Sequence, residues 1–173
     1  MSHTSPASPE EDTVTDLAEH PLPMRGFARS LPMALMKARE AVMSRFRPIL
    51  RKHNLTEQQW RVMRAVLAED DIEATTLAER CYILMPSLTR ILQNLESRTL
   101  IERRPAPHDQ RRTLITITPS GRQLIDTIAP QSEQAYHQIE ATFGLDKLEE
   151  LYGLLNEMTD SLGSGKADQR QNN

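Results

Sequence analysis

Apolar residues recur along most of the chain at the three- and four-residue spacings of amphipathic helices, interrupted by one stretch of short β-branched runs. Leu35, Ala38, Val42, Phe46 and Ile49 mark a first helix from about Leu31 to His53, and Pro48 within it is expected to cause a kink or break near Ser44 to Pro48. A second helix has a well-marked start. Thr56 can cap it, Gln59 three residues on can reach back, and Leu55 can staple against Trp60. It should run to about Glu69. A short strand at Ile72 to Ala74 and a helix from Thr75 or Thr76 to about Cys81 follow, and Pro86 suits the first position of another helix that continues to about Arg98. The period then changes: Leu100 to Pro105 and Arg112 to Thr118 read as two strands of a hairpin, with Ala106 to Gln110 as the turn. Thr118 and Pro119 open a long helix carrying Leu124, Ile128, Ala135, Ile139 and Phe143, with a bend allowed at Pro130 and an end at Gly144. In the last helix Leu148, Leu151, Leu155, Met158 and Leu162 form a narrow apolar seam of the coiled-coil kind.

Helix, helix, short turn, helix, hairpin is the order of a winged helix-turn-helix. The expected fold class is therefore mainly α with a small β-wing, a winged helix-turn-helix plus a helical dimerisation region. Residues 1–29, rich in Pro, Ser and acids, are expected to be a flexible arm, and 163–173 a flexible tail. Between them, 30–54 form a dimerisation helix and 55–118 the DNA-binding domain, with its recognition helix at about 86–98 and its wing at about 100–118. Residues 119–162 supply the C-terminal dimerisation helices. Helix one and the last two helices each carry an apolar stripe that one chain has too little core to cover, which points to a homodimer.

A net charge of −3 over 173 residues seems to argue against a nucleic-acid partner until the charges are mapped. The first 20 residues hold five acids and no Lys or Arg, and residues 140–173 hold seven acids against three bases. Residues 31–64, by contrast, hold eight bases against two acids, and 84–112 six against three. Such segregation is the footprint of a phosphate-binding protein. At about 100° per residue, Leu88, Ile91, Leu92 and Leu95 share one side of the recognition-like helix. Ser87, Arg90, Gln93, Asn94 and Ser97 lie opposite, with Thr89 on the flank. The outward set has no carboxylate and matches the side chains that read base edges: Arg for guanine, Gln and Asn for adenine, Ser and Thr for either bases or phosphates. On the hairpin, Asp109 stands two residues before Arg111 and beside Arg112, so a carboxylate there can fix the rotamer of an arginine entering the minor groove. The expected partner is double-stranded DNA.

Other classes fare poorly. There is no HExxH pair, no phosphate-binding glycine loop and only 6 Gly, so neither an enzyme nor a cofactor is expected. No long uncharged apolar run or signal layout suggests a membrane, and a cytoplasmic location follows. Two alternatives stay open. Cys81, the single cysteine, lies between Arg80 and Tyr82, where a lowered pKa would suit a thiol redox sensor. The C-terminal helices could instead build a scaffold that binds no DNA.

The run Leu77-Ala78, Pro86-Ser87-x-Thr89-Arg90, Leu95-Glu96, Ile101-x-Arg103-Arg104, Asp109-x-Arg111 and Thr118-x-x-Gly121 resembles the MarR family of dimeric winged-helix regulators across residues 31–162. The strings AREAVMSRFRPIL, HNLTEQQWRVMR and APHDQRR further resemble those members that control operons for aromatic-acid catabolism of the homoprotocatechuate (4-hydroxyphenylacetate) type. The resemblance implies a repressor that occupies a near-palindromic operator as a homodimer and leaves it when a small aromatic carboxylate binds. By position it puts Ser87, Thr89 and Arg90 on the recognition helix and Asp109 and Arg111 on the wing. For the effector, an aromatic carboxylate needs a cation and an aromatic or apolar wall. Arg39, Ser44, Arg47, His53, Trp60, Arg61 and Arg64 in helices one and two supply those types. The chain departs from the family pattern at Thr99, where glycine usually ends the recognition helix in a left-handed turn, and at Met85, where a polar cap is usual. The first departure implies another turn conformation or strain.

Overall fold

The computed structural model describes residues 26–27, 30–107 and 109–163; most of the expected arm and tail lies outside the described residues. The elements are α1 (Leu31–Lys52), α2 (Glu57–Ala68), β1 (Ile72–Glu73), α3 (Ala74–Arg80), α4 (Met85–Ser97), β2 (Ile101–Ala106), β3 (Asp109–Ile117), α5 (Pro119–Phe143) and α6 (Leu145–Gly163). This is the expected order, mainly helical with a small antiparallel sheet. The first turns of α1, up to Lys37, belong to one compact unit and the chain from Ala38 onward to another.

Of the kink or break expected near Ser44 to Pro48, no break forms: the helix continues through Pro48 from Leu31 to Lys52. Proline removes one N–H, whose helical acceptor is the carbonyl of Ser44. Both residues are exposed, so solvent can satisfy that carbonyl. At the start of α2 the predicted capping box forms in full: Gln59 N donates to Thr56 Oγ1 at 3.1 Å and Thr56 N to Gln59 Oε1 at 2.9 Å. The staple partners Leu55 and Trp60 are both buried in the same core cluster.

Three helices end in one recurring way, with a non-glycine residue in the left-handed region: Asn54 after α1 (φ 55°), Tyr82 after α3 (φ 50°) and Thr99 after α4 (φ 56°). In each case the next N–H reaches five residues back, Leu55 to Leu50, Ile83 to Ala78 and Leu100 to Leu95, at 2.9–3.0 Å. Those pairs are also buried apolar neighbours. This is the Schellman arrangement, in which a hydrophobic contact closes the turn along with the hydrogen bonds. Thr99 therefore keeps the left-handed turn that glycine would normally make, and carries the strain of a β-branched residue there.

The sheet has the order β1-β3-β2, with Ile72 paired to Ile115 and Ile101 to Ile117. The hairpin is longer and its turn shorter than expected. Pairing continues to Ala106–Asp109 past an irregularity at Pro105/Ala106, leaving only residues 107 and 108 between the strands. α4 also begins one residue early. Leu84 stands at its cap without a side-chain bond, and Pro86 takes the second helical position instead of the first. Ile115 of β3 packs with Val62, Met63 and Val66 of α2, Leu77 of α3, and Leu88 and Leu95 of α4 in one buried core. That core fixes α4 and the wing relative to each other. Thr118 caps α5, accepting from Gly121 N at 3.0 Å, and Gly144 ends that helix at φ 98°.

Candidate nucleic-acid interface

The apolar side of α4 is buried as predicted, with Leu88, Ile91, Leu92 and Leu95 all in the core. Ser87, Thr89, Arg90, Gln93 and Asn94 are all exposed on the remaining surface. They are not equally free. Gln59 Nε2 of α2 donates to Asn94 Oδ1 at 2.7 Å, so Asn94 offers only its amide hydrogens, and Thr89 Oγ1 is committed as a donor to Met85 O at 2.9 Å. Arg90 has no hydrogen-bond or carboxylate partner among the described residues. Bidentate base reading needs both edges of an amide or guanidinium, so the face narrows to Ser87, Arg90 and Gln93, with Asn94 better suited to bracing α4 against α2.

The same sorting applies to the wing. Arg103 hydrogen-bonds Glu96 of α4, with its Nε at 2.9 Å. Arg104 reaches Asp71 at 2.5 Å, and Arg112 reaches Glu73 at 2.7 Å. Asp71 also accepts from Thr116 Oγ1 at 2.7 Å. The bonds from Thr116 and Arg104 hold the Asp71 carboxyl below the usual carboxylate range, and the Arg103 side chain does the same for Glu96. These pairs tie both strands to α4 and to the turn before β1. Arg112, expected to face DNA, is thus engaged with Glu73 of β1. Asp109 does not steer the Arg111 guanidinium either; its carboxylate accepts from the Arg111 backbone N–H at 3.0 Å, closing the turn. The Arg111 side chain is exposed and has no ion-pair partner among the described residues.

Residues proposed for an effector fall into separate places. Arg39 and Arg47 of α1 converge on Glu57 of α2, with Arg47 Nε at 2.5 Å and a further 2.6 Å contact from Arg47 to Glu40. Burial opposes ionisation of Glu57, but the bonds from Arg47 and Arg39 prevail and lower its pKa. Arg39, Arg47 and Arg61 line a cleft of about 460 Å³ with Leu50, Arg51 and Glu57. Arg61 also donates to the Cys81 carbonyl at 2.8 Å. Ser44, His53, Trp60 and Arg64 do not line that cleft: Ser44 Oγ donates to Ala41 O, and the His53 carbonyl accepts from Arg98. Trp60 packs in the core, and the Arg64 guanidinium lies 5.8 Å from its ring centroid. The thiol alternative fails on burial. Cys81 is 1% exposed, and burial pushes its pKa up against the pull of Arg61 and Arg80, opposite to the lowered pKa that the thiol alternative requires.

The MarR family model matches residues 53–112, from the end of α1 to the middle of β3. The chain is 44% identical over 139 residues to the homoprotocatechuate degradative operon repressor of Escherichia coli, covering 80% of this chain and 93% of the relative. The chain belongs to the MarR family. The crystal structure of transcriptional regulator PA4135 superposes with a TM-score of 0.73 at 43% identity, covering 76% of this chain and 96% of that one. The structure of NadR in complex with 4-hydroxyphenylacetate superposes with a TM-score of 0.68 at 37% identity, over 79% and 97%. The first two are by name an operon repressor and a transcriptional regulator, and the fold of this MarR-family member is the winged helix. No helix among the described residues is long and apolar enough to cross a membrane.

Two exposed residues of this MarR-family chain escaped the sequence reading. Tyr82 and Leu84, 86% and 79% exposed, stand in the turn between α3 and α4, next to the first residues of the recognition-like helix. A helical wheel places residues within a helix and says nothing about a turn. Tyr82 points outward because the Schellman closure uses Ile83 as its buried member.

Proposed function

We propose that this chain is a homodimeric, ligand-responsive repressor of an operon for aromatic-acid catabolism. In this reading Ser87, Arg90 and Gln93 contact bases in the major groove and Arg111 enters the minor groove. Thr89, Asn94, Asp109 and Arg112 hold the reading elements in place. Val42, Phe143, Leu145, Leu151 and Leu154, exposed in the single chain, supply the surface for a second copy. A two-fold dimer sets its recognition helices in successive major grooves, about 34 Å apart. Such a protein works in the cytoplasm and catalyses no reaction.

The effector is a small aromatic carboxylate of the hydroxyphenylacetate type. What carries this reading is the Trp60–Arg64 pair, an aromatic ring and a guanidinium 5.8 Å apart, since Arg64 has no carboxylate partner among the described residues. Arg39 and Arg47 are already neutralised by Glu57 and Glu40, so a ligand carboxylate there would have to displace a protein carboxylate. NadR, 37% identical, was crystallised with 4-hydroxyphenylacetate. Trp60 is the single tryptophan, so its fluorescence reports the site directly. Titration with 4-hydroxyphenylacetate should quench it and raise the melting temperature, and Arg64→Ala should abolish both responses. No response in the wild-type protein at millimolar ligand would remove this effector from the reading.

A further inference from the structure

Ser132 of α5 is 3% exposed, and its Oγ has no hydrogen-bond partner among the described residues. A helical serine seldom needs to be in this position, because it can donate to a carbonyl three or four residues back. In the same helix Thr127 and Thr142 do so, donating to Gln123 O and Gln138 O at 2.8 and 2.7 Å. Ser132 makes no such bond, although its Oγ is buried. An unsatisfied buried hydroxyl opposes folding, and alanine at this position would avoid that cost.

Its surroundings indicate what the hydroxyl is for. One turn before it, Ile128 belongs to the core cluster that includes Trp60. One turn after it, the half-buried Tyr136 ring meets Phe46 of α1 edge to face, with centroids 4.9 Å apart. The Tyr136 hydroxyl likewise has no hydrogen bond among the described residues. Along one face of α5, then, an orphan hydroxyl stands between the tryptophan-containing core and an aromatic pair whose outer ring is partly open. This setting suits an aromatic ring that carries its own polar substituent.

We propose that Ser132 is a specificity residue whose Oγ hydrogen-bonds the ring hydroxyl of a hydroxylated arylacetate, distinguishing it from the unsubstituted acid. The inference rests on the aromatic-acid reading above. It assigns the ring-hydroxyl end of the ligand, whereas Arg64 takes the carboxylate. A site built around such a hydrogen bond disfavours the analogue that lacks it, because the protein group is then left unpaired.

The test is isothermal titration of wild type and Ser132→Ala with 4-hydroxyphenylacetate and with phenylacetate, together with the melting temperature of each ligand-free protein. Ser132→Ala should bind 4-hydroxyphenylacetate about tenfold more weakly, bind phenylacetate unchanged, and melt at a higher temperature than wild type without ligand. Equal effects on both acids, or no effect on either, while the wild type binds 4-hydroxyphenylacetate would overturn the role of Ser132 and leave the aromatic-acid reading standing. A lower melting temperature for ligand-free Ser132→Ala would also overturn it, by revealing an internal partner for the hydroxyl. Failure of the wild type to bind either acid would overturn both readings.

Discussion

Gly121→Ala is expected to destabilise the protein by at least about 3 kcal/mol, the upper part of the range for forcing an extra group into a packed site. For a chain of this size that is a fall of roughly 6–12 °C in melting temperature. Gly121 is buried in the first turn of α5, where its N–H donates to the Thr118 hydroxyl. A Cβ built there lies 2.0 Å from the Leu100 carbonyl oxygen and 2.7 Å from Ile117 Cδ1. The first neighbour is backbone, so no rotamer change can relieve it. Leu100 closes the strained turn after α4, and its carbonyl also accepts from Thr118 N at 3.2 Å. The same few atoms thus join the end of α4, the edge of the wing and the start of α5. Gly153→Ala is the matched control, because that position in α6 is exposed with nothing within 4 Å of the added Cβ; it should be neutral or slightly stabilising through helix propensity. Thermal melts of the two variants decide the point. A melting temperature for Gly121→Ala within a degree of wild type would mean that α5 does not approach Leu100 this closely.

Arg90→Ala is expected to leave the melting temperature unchanged while removing most of the discrimination between operator and random DNA. Few arginines of the reading region are free. Between residues 90 and 112, Arg98, Arg103, Arg104 and Arg112 all donate to protein carbonyls or carboxylates. Arg90 and Arg111 have no such partner among the described residues, and Arg90 lies on the exposed side of α4 with Ser87 and Gln93. A bidentate contact to one base contributes about 1–3 kcal/mol of discrimination, which is about 5- to 150-fold per half-site, and a dimer loses two of them. Affinity for a random duplex should change much less. Equal losses on both duplexes would assign Arg90 to phosphate contacts.

Segregated charge pointed to a nucleic-acid partner for reasons only partly right. Of the bases counted in residues 31–64, Arg39 and Arg47 are bound to Glu57 and Glu40. Of those in 84–112, four arginines brace the domain. Glu40, Glu57 and Glu96 lie inside the counted segments, Glu40 next to Arg39 itself, whereas the partners of Arg98, Arg104 and Arg112 lie 33 to 45 residues away; a count of charges does not say which base meets which acid. Local signals did much better. The Thr56–Gln59 box, the Thr118 cap, the terminating Gly144 and the apolar side of α4 each depend on residues within one or two turns, and each forms as read. Pro48 misled because its effect depends on whether one carbonyl can meet water, and exposure is a tertiary property. The turn at Thr99 was legible as a problem, and its solution was not, because the buried Leu95–Leu100 pair that closes it belongs to the core.

In the candidate site, the outward residues of α4 could be listed from helical periodicity alone. The restraint of Asn94 by Gln59, the diversion of Arg112 to Glu73 and the burial that silences Cys81 all required the packed structure. The same holds for Trp60 and Arg64. Their spacing of four residues permits a stacked pair, whereas the absence of a competing carboxylate on Arg64 among the described residues comes from the arrangement of the other helices.

The central claim is that one protein both binds a specific duplex and releases it to an aromatic acid. The most direct measurement is fluorescence anisotropy of a near-palindromic duplex, selected by the protein from a random pool, titrated with and without 4-hydroxyphenylacetate at fixed salt. The account predicts tight binding that weakens at least tenfold with the ligand, a loss of about 1.4 kcal/mol. An affinity unchanged by saturating ligand, or failure to select any duplex over random sequence, would contradict it.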